Sequence, residues 1–234
     1  MDHLLREKEN TFRPVVVACK TLEKELHAAM EQVECAYPVY WIESGLHNTP
    51  ARLNAALDAA MDHCSGFSHV LLAMGFCGNS IVGVSTRDSF VILPRVDDCI
   101  SLLLGSMDRR SALNAEGLYF FTEGWLRGER TILVEYQYAL KKYGPKRANA
   151  AFSAMLRHYR SAALLDTGCF DVQSARAETK QIAQILNLEY CEIPATLDHI
   201  KQLLTGPWQE DRFITIPPKT QISASHLNLK RDIT

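Results

Sequence analysis

What this 234-residue chain lacks narrows it first. No apolar run approaches the roughly 20 residues a membrane-crossing helix needs. Lysine and arginine number 25 against 27 acidic residues, so no excess of one sign marks a nucleic-acid binder or a solvating acidic tail. The dinucleotide fingerprint G-x-G-x-x-G is absent, as is a phosphate loop with its lysine. No two cysteines lie at the close spacing of a zinc finger. The opening stretch MDHLLREKENTF has no apolar core, so no secretory signal is expected. Seven cysteines at irregular intervals do not suit a disulfide framework, and reduced thiols in a cytoplasmic protein are expected.

What is present is a rhythm of strands and helices. The buried-type run PVVVA (14–18), the strand at 38–43 and the runs SHVLLAM (68–74) and SFVIL (89–93) alternate with helical patterns. The first helix, 20–34, carries Leu22, Leu26, Ala29 and Met30 at helical spacing. The second opens at Pro50, and proline is tolerated in a first turn. The third runs from about Asp97 to Leu104 and stops at Gly105. Strands at 117–121, 161–165, 188–193 and 213–216 continue the rhythm, with helices at 131–143, 147–159, 173–186 and 195–204. The first twelve residues read as a short helix or loose lead-in. The pattern predicts an α/β fold, a parallel, Rossmann-like sheet flanked by helices. One domain over 1–218 is expected, divisible into two pseudo-similar lobes at 13–110 and 111–218, with an exposed tail at 219–234.

Cys19, His47, Cys77 and Cys99 each fall between a predicted strand and the next helix. Their separations of 28, 30 and 22 residues are each about one strand-helix-strand unit. In a parallel sheet, all four meet at the carboxyl edge, where open α/β sheets bind ligands. Thiolates and imidazole suit zinc, iron or an iron–sulfur cluster. Helix N-termini also favour thiolate over thiol. Against this stands the ordinary use of cysteine as a small buried apolar residue, the reading for Cys35, Cys64 and Cys191. Cys169, in DTGCFDV, follows a strand and is a further candidate thiol.

The neighbouring loops add polar groups. Gly75 and Gly78 flank Cys77 and would let a ligand approach the backbone, with Asn79 beside them. Asp97 and Asp98 precede Cys99; one is expected to cap the helix and the other to orient a histidine or act as a base. Arg95 could hold a substrate carboxylate. Glu123 is a candidate general base and Trp125 a pocket wall.

The segments ACKTLEKEL, GLHNTPARL, GFCGNSIVG, LPRVDDCISLLLGS and FFTEGW together resemble the domain-of-unknown-function family numbered sixteen-thirty-eight, over about residues 15–210. The family pattern has cysteine at the positions of Cys19, Cys77 and Cys99 and histidine at His47. Ser80 departs from a glycine common there. The resemblance implies a neighbourhood of corrinoid-dependent methyltransferases in anaerobes, hence methyl transfer or one-carbon metabolism. A corrinoid protein or methyltransferase would be the partner, and a small molecule the substrate. The corrinoid-binding stretch D-x-H-x-x-G is itself absent, and neither corrinoid nor pterin is read from the residues. The leading expectation is a zinc or iron protein, a methyltransferase-like enzyme or an accessory protein. The alternatives are a metal-free thiol enzyme of racemase type using Cys77 and Cys169, and a non-catalytic carrier. No nucleic-acid or membrane partner is expected.

Overall fold

The computed structural model describes residues 12–128 and 131–227. The expected lead-in at 1–12 lies almost wholly outside them.

Strand β1 (Pro14–Cys19) is buried along its whole length. Its side chains alternate between two cores: Val15, Val17 and Cys19 join one, Val16 and Ala18 the other. That alternation is the signature of a strand covered on both faces. A single 3-10 turn, Lys20–Leu22, precedes helix α1 (Glu23–Gln32), so the expected helix begins tightly wound. Strand β2 (Val39–Ile42), helix α2 (Pro50–His63), strand β3 (His69–Ala73) and strand β4 (Phe90–Pro94) follow. Strands β2, β1, β3 and β4 pair in that order, all parallel.

Helix α3 (Cys99–Leu104) ends at left-handed Gly105. Helix α4 (Met107–Ala115), which the strand and helix pattern of the sequence does not include, follows. It buries none of its residues and so lacks an apolar stripe to announce it. Strand β5 (Leu118–Phe121), short helix α5 (Glu123–Leu126) and helix α6 (Ile132–Met155) come next. The helix α6 is two segments meeting at a kink at Gly144 (φ 78°, ψ 164°), before Pro145, as the two expected helices suggest. Strand β6 (Ser161–Asp166), helix α7 (Val172–Leu186) and strand β7 (Glu189–Pro194) complete a separate parallel sheet, β5-β6-β7.

The chain then returns. Thr196 N–H donates to the Leu103 carbonyl (2.8 Å), beside the point where the chain left. Helix α8 (Asp198–Thr205) packs on α1, β3 and β4, and strand β8 (Phe213–Ile216) pairs antiparallel with β4. An all-parallel order is what repeated crossovers produce. Strand β8 arrives instead after an excursion through the second sheet. Residues 195–216, expected in the second lobe, therefore complete the first sheet.

The expected exposed tail is corrected as well. Residues 219–227 are clasped to the 83–86 loop: Gly83 N–H donates to the Ile222 carbonyl (2.8 Å) and Ile222 N–H to that of Val84 (2.9 Å). Ile222 and Leu227 sit in the core beside α2. Burying such a side chain contributes about 1.5–3 kcal/mol, enough to hold a short segment down. Residues 228–234 lie outside the described residues. Among the described residues, no helix is long and apolar enough to cross a membrane.

Candidate functional site

A cavity of about 460 Å³ lies between the carboxyl-edge loops of the five-stranded sheet and the edge strand β5 of the other. The first sheet supplies Thr21, His47, Cys77, Gly78, Asp97, Asp98 and Cys99. The second supplies Leu118, Tyr119, Phe120, Thr122 and Trp125, and Leu22, Ile100, Arg110 and Tyr159 complete the lining.

Each loop has a local cause. Cys19 ends β1, and its Sγ lies 3.0 Å from Thr21 Oγ1. His47 sits in a 3-10 turn, Leu46–Asn48, entered through left-handed Gly45. Cys77 itself has a positive φ of 47°, an uncommon backbone state for a residue with a side chain. Its N–H donates to the Asp97 carbonyl (2.7 Å), and Ser80 Oγ donates to its carbonyl (2.6 Å). These bonds hold the strained turn against the next loop. Asp98 caps α3, its Oδ1 accepting from Ser101 N–H (2.7 Å).

The Cys99 thiol interacts with both Cys19 and Cys77, which links the three side chains in the order Cys19, Cys99, Cys77. The interaction with Cys99, then burial, push Cys19 well above the usual thiol range. At Cys99 the interaction with Cys19 favours the thiolate, but the interaction with Cys77 and burial overcome it and leave the thiol raised. Burial holds His47 below its ordinary value, partly offset by the Asp98 charge. At neutral pH, therefore, Cys19 and Cys99 are neutral thiols and His47 is a neutral imidazole. Among the described residues, no group of three or more His, Cys, Asp or Glu side chains is arranged to hold a metal ion.

Of the residues singled out in the sequence, His47, Cys77, Gly78, Asp97, Asp98, Cys99 and Trp125 line this cavity. Cys19 reaches it through Cys99. Gly75, Asn79, Arg95 and Glu123 stand outside the lining. A Cβ on Gly75 would lie 2.5 Å from the Asp98 backbone nitrogen, so that glycine serves loop packing. Arg95 Nε donates to the Glu210 carbonyl (2.8 Å). The Glu123 carboxylate is bound by Lys24 Nζ (2.8 Å) and lies 3.5 Å from Arg127 Nε. Cys169 faces Thr167 and buried Glu25, away from Cys77.

Among the lining residues not singled out in the sequence are the polar Thr21, Arg110, Tyr119 and Tyr159. Arg110 lies flat on Phe120, 4.4 Å from the ring centre, with its Nε 3.5 Å from Asp98 Oδ2. The only signal for it is Ser106, whose hydroxyl accepts from Arg109 N–H (3.0 Å) and starts α4.

A family model described as a protein of unknown function (DUF1638) matches residues 41–204. The match is shorter than the 15–210 expected, and Cys19 precedes it. No curated protein and no solved structure matches the chain.

Proposed function

The chain belongs to the DUF1638 family of proteins of unknown function, and on that premise we propose that the cavity is a soft-metal site serving a small molecule. Cys19, Cys77 and Cys99, with His47, would hold zinc or iron. The observation that carries the reading is the linkage of three thiols at this edge: Cys77 and Cys99 line the cavity, Cys19 lies behind Cys99, Cys19 is kept neutral by Cys99 and burial, and Cys99 by Cys77 and burial. A thiophilic cation is the partner that turns such linked thiols into thiolates. Neutral His47 leaves its ring nitrogens available for coordination. The donor set fits the metals in kind. Convergence of the four side chains would require rotation from the positions described above.

When bound, the ion would supply Lewis acidity, lowering the pKa of a substrate thiol or of water. The chain's own residues have separate tasks. Asp98 fixes the start of α3 and so the position of Cys99. Tyr119, Trp125 and Phe120 keep one wall apolar. Asp97, exposed at the mouth, is the carboxylate placed to exchange a proton with a bound molecule. Methyl transfer or one-carbon metabolism, with a corrinoid protein or methyltransferase as partner, follows from the family resemblance. Carrier and enzyme are separated by whether Asp97→Asn abolishes turnover while leaving metal content intact.

Metal-free thiol catalysis is less well supported. That reading needs Cys77 and Cys169 to act as a pair with lowered pKa values, but burial raises Cys169 to about 11 and it lies outside the cavity that Cys77 lines. The test is metal analysis of anaerobically purified protein, followed by cobalt reconstitution. Sulfur-to-cobalt charge-transfer absorption that is lost in Cys77→Ser and Cys99→Ser is expected. Protein that stays metal-free after zinc, iron and cobalt would overturn the reading.

A further inference from the structure

Beside the thiol cavity lies a second chamber of about 530 Å³. The two share Thr21, His47 and Trp125, so they are neighbours across one wall of side chains. Their characters differ. The inner chamber is walled mainly by aromatic rings and thiols, its charged groups being Asp97 and the paired Arg110 and Asp98. The outer one is lined by three cations, Lys20, Arg52 and Arg127, against a single carboxylate, Glu43.

The cations differ in how far they are already engaged. Lys20 pairs with Glu23 at 2.9 Å, and both side chains are about two-fifths exposed. Arg127 reaches Glu123 and Glu178 from an exposed position. The Lys20 pair is exposed on both sides and weak, so an incoming anion can share it; Arg127 is held more firmly, by a Glu123 side chain only 12% exposed. Arg52 has no ion pair among the described residues and sits exposed in the first turn of α2. A concave surface with a surplus of one sign concentrates the opposite sign. The guanidinium fork matches phosphate and carboxylate oxygens.

We infer that the outer chamber binds the oxyanion tail, phosphate or carboxylate, of the small molecule whose other end lies in the inner chamber. This rests on the inner cavity being the reactive site. It adds the substrate class, an elongated monoanion or polyanion with an uncharged reactive end. It also gives Trp125 a role, because that side chain borders both chambers and would contact the molecule near its middle.

The test uses the full chain, stripped of metal, with inorganic pyrophosphate in one arm and succinate in the other. Binding is read by calorimetry and by the Trp125 indole N–H resonance. Saturable binding in one arm is expected, weakening as salt rises. Arg52→Gln should weaken it several-fold, and Arg52→Glu with Arg127→Glu by about tenfold or more, since the reversal turns two attractions into repulsions. Cys77→Ser and Cys99→Ser should leave it within about twofold, because only the outer chamber is probed and RT sets that resolution. No saturable binding in either arm, or affinity unmoved by the double reversal in a folded variant, would overturn the assignment. The metal reading is judged separately by the cobalt spectrum, so each idea fails on its own measurement.

Discussion

A Cβ placed on Gly124 would lie 2.0 Å from the carbonyl oxygen of Thr21. The backbone of the loop after β5 therefore touches the backbone of the loop after β1, with no side chain between them. This contact joins the two sheets at the edge of the thiol cavity. Gly124→Ala must separate the loops by more than an ångström, because the obstructing atom is backbone. A loss of about 1–3 kcal/mol in denaturant unfolding is expected, the range for overpacking. Cobalt affinity should fall with it. An unchanged midpoint would mean that the loops part at little cost.

Glu25 is fully buried on α1, its Oε1 accepting from Thr167 Oγ1 (3.2 Å) and its Oε2 without a partner. Burial raises its pKa, and the Glu123 charge adds to the rise. The folded state thus prefers the protonated acid. The penalty is absent below the unfolded pKa, near 4.3 in model peptides, and grows as pH rises to the folded value. Glu25→Gln should therefore be neutral at pH 4 and stabilising at pH 8. Urea midpoints at the two pH values decide it; destabilisation at both would show that the carboxylate is needed.

His199 on α8 is 4% exposed, and neither ring nitrogen has a hydrogen-bond partner. Burial, aided by Arg212, lowers its pKa to about 4. The unfolded chain binds the proton first, so stability falls as pH drops from about 6.5 and levels off below the folded value. The total is on the order of 3 kcal/mol at most. His199→Phe should flatten the thermal-denaturation profile between pH 7 and pH 4. A profile as steep as that of the parent would place the acid sensitivity elsewhere.

Burial first, with the Glu25 charge contributing, lifts the Cys169 thiol to about 11, although the residue is only partly buried. Alkylation at pH 8 should be about tenfold slower than for a free cysteine, since the scarcity of thiolate outweighs its greater nucleophilicity. Glu25→Gln should speed it. Mass spectrometry of iodoacetamide-treated protein reads the rate at this one site, and a rate equal to that of free cysteine would contradict the assignment.

The repeated strand-loop-helix grammar was legible because PVVVA and SHVLLAM are continuous apolar runs whose burial leaves one secondary structure open to them. The convergence of His47, Cys77 and Cys99 was legible for the same reason: parallel topology puts every such loop at one edge. What stayed hidden had no local signal. Residues Met107–Ala115 form a helix with no buried face, so Arg110 could not be placed. The direction of FITI depends on where the chain has been, not on its own residues. Glu25 stands beside Glu23 and Lys24 with nothing local to set it apart, because its hydrogen-bond partner Thr167 is 142 residues away.

The meeting of Thr196 with Leu103 has a topological corollary. The excursion between them has its two ends within one hydrogen bond of each other, so strands β5, β6 and β7 form a cassette that leaves and rejoins the host chain at one point while packing on it through a shared core. The host keeps the thiols and the imidazole; the cassette brings the aromatic wall. A gene encoding the host with a short glycine-rich bridge across that point would keep every strand neighbour of the five-stranded sheet. It would lay the linked thiols open to solvent, with the half of the cleft that shields them removed.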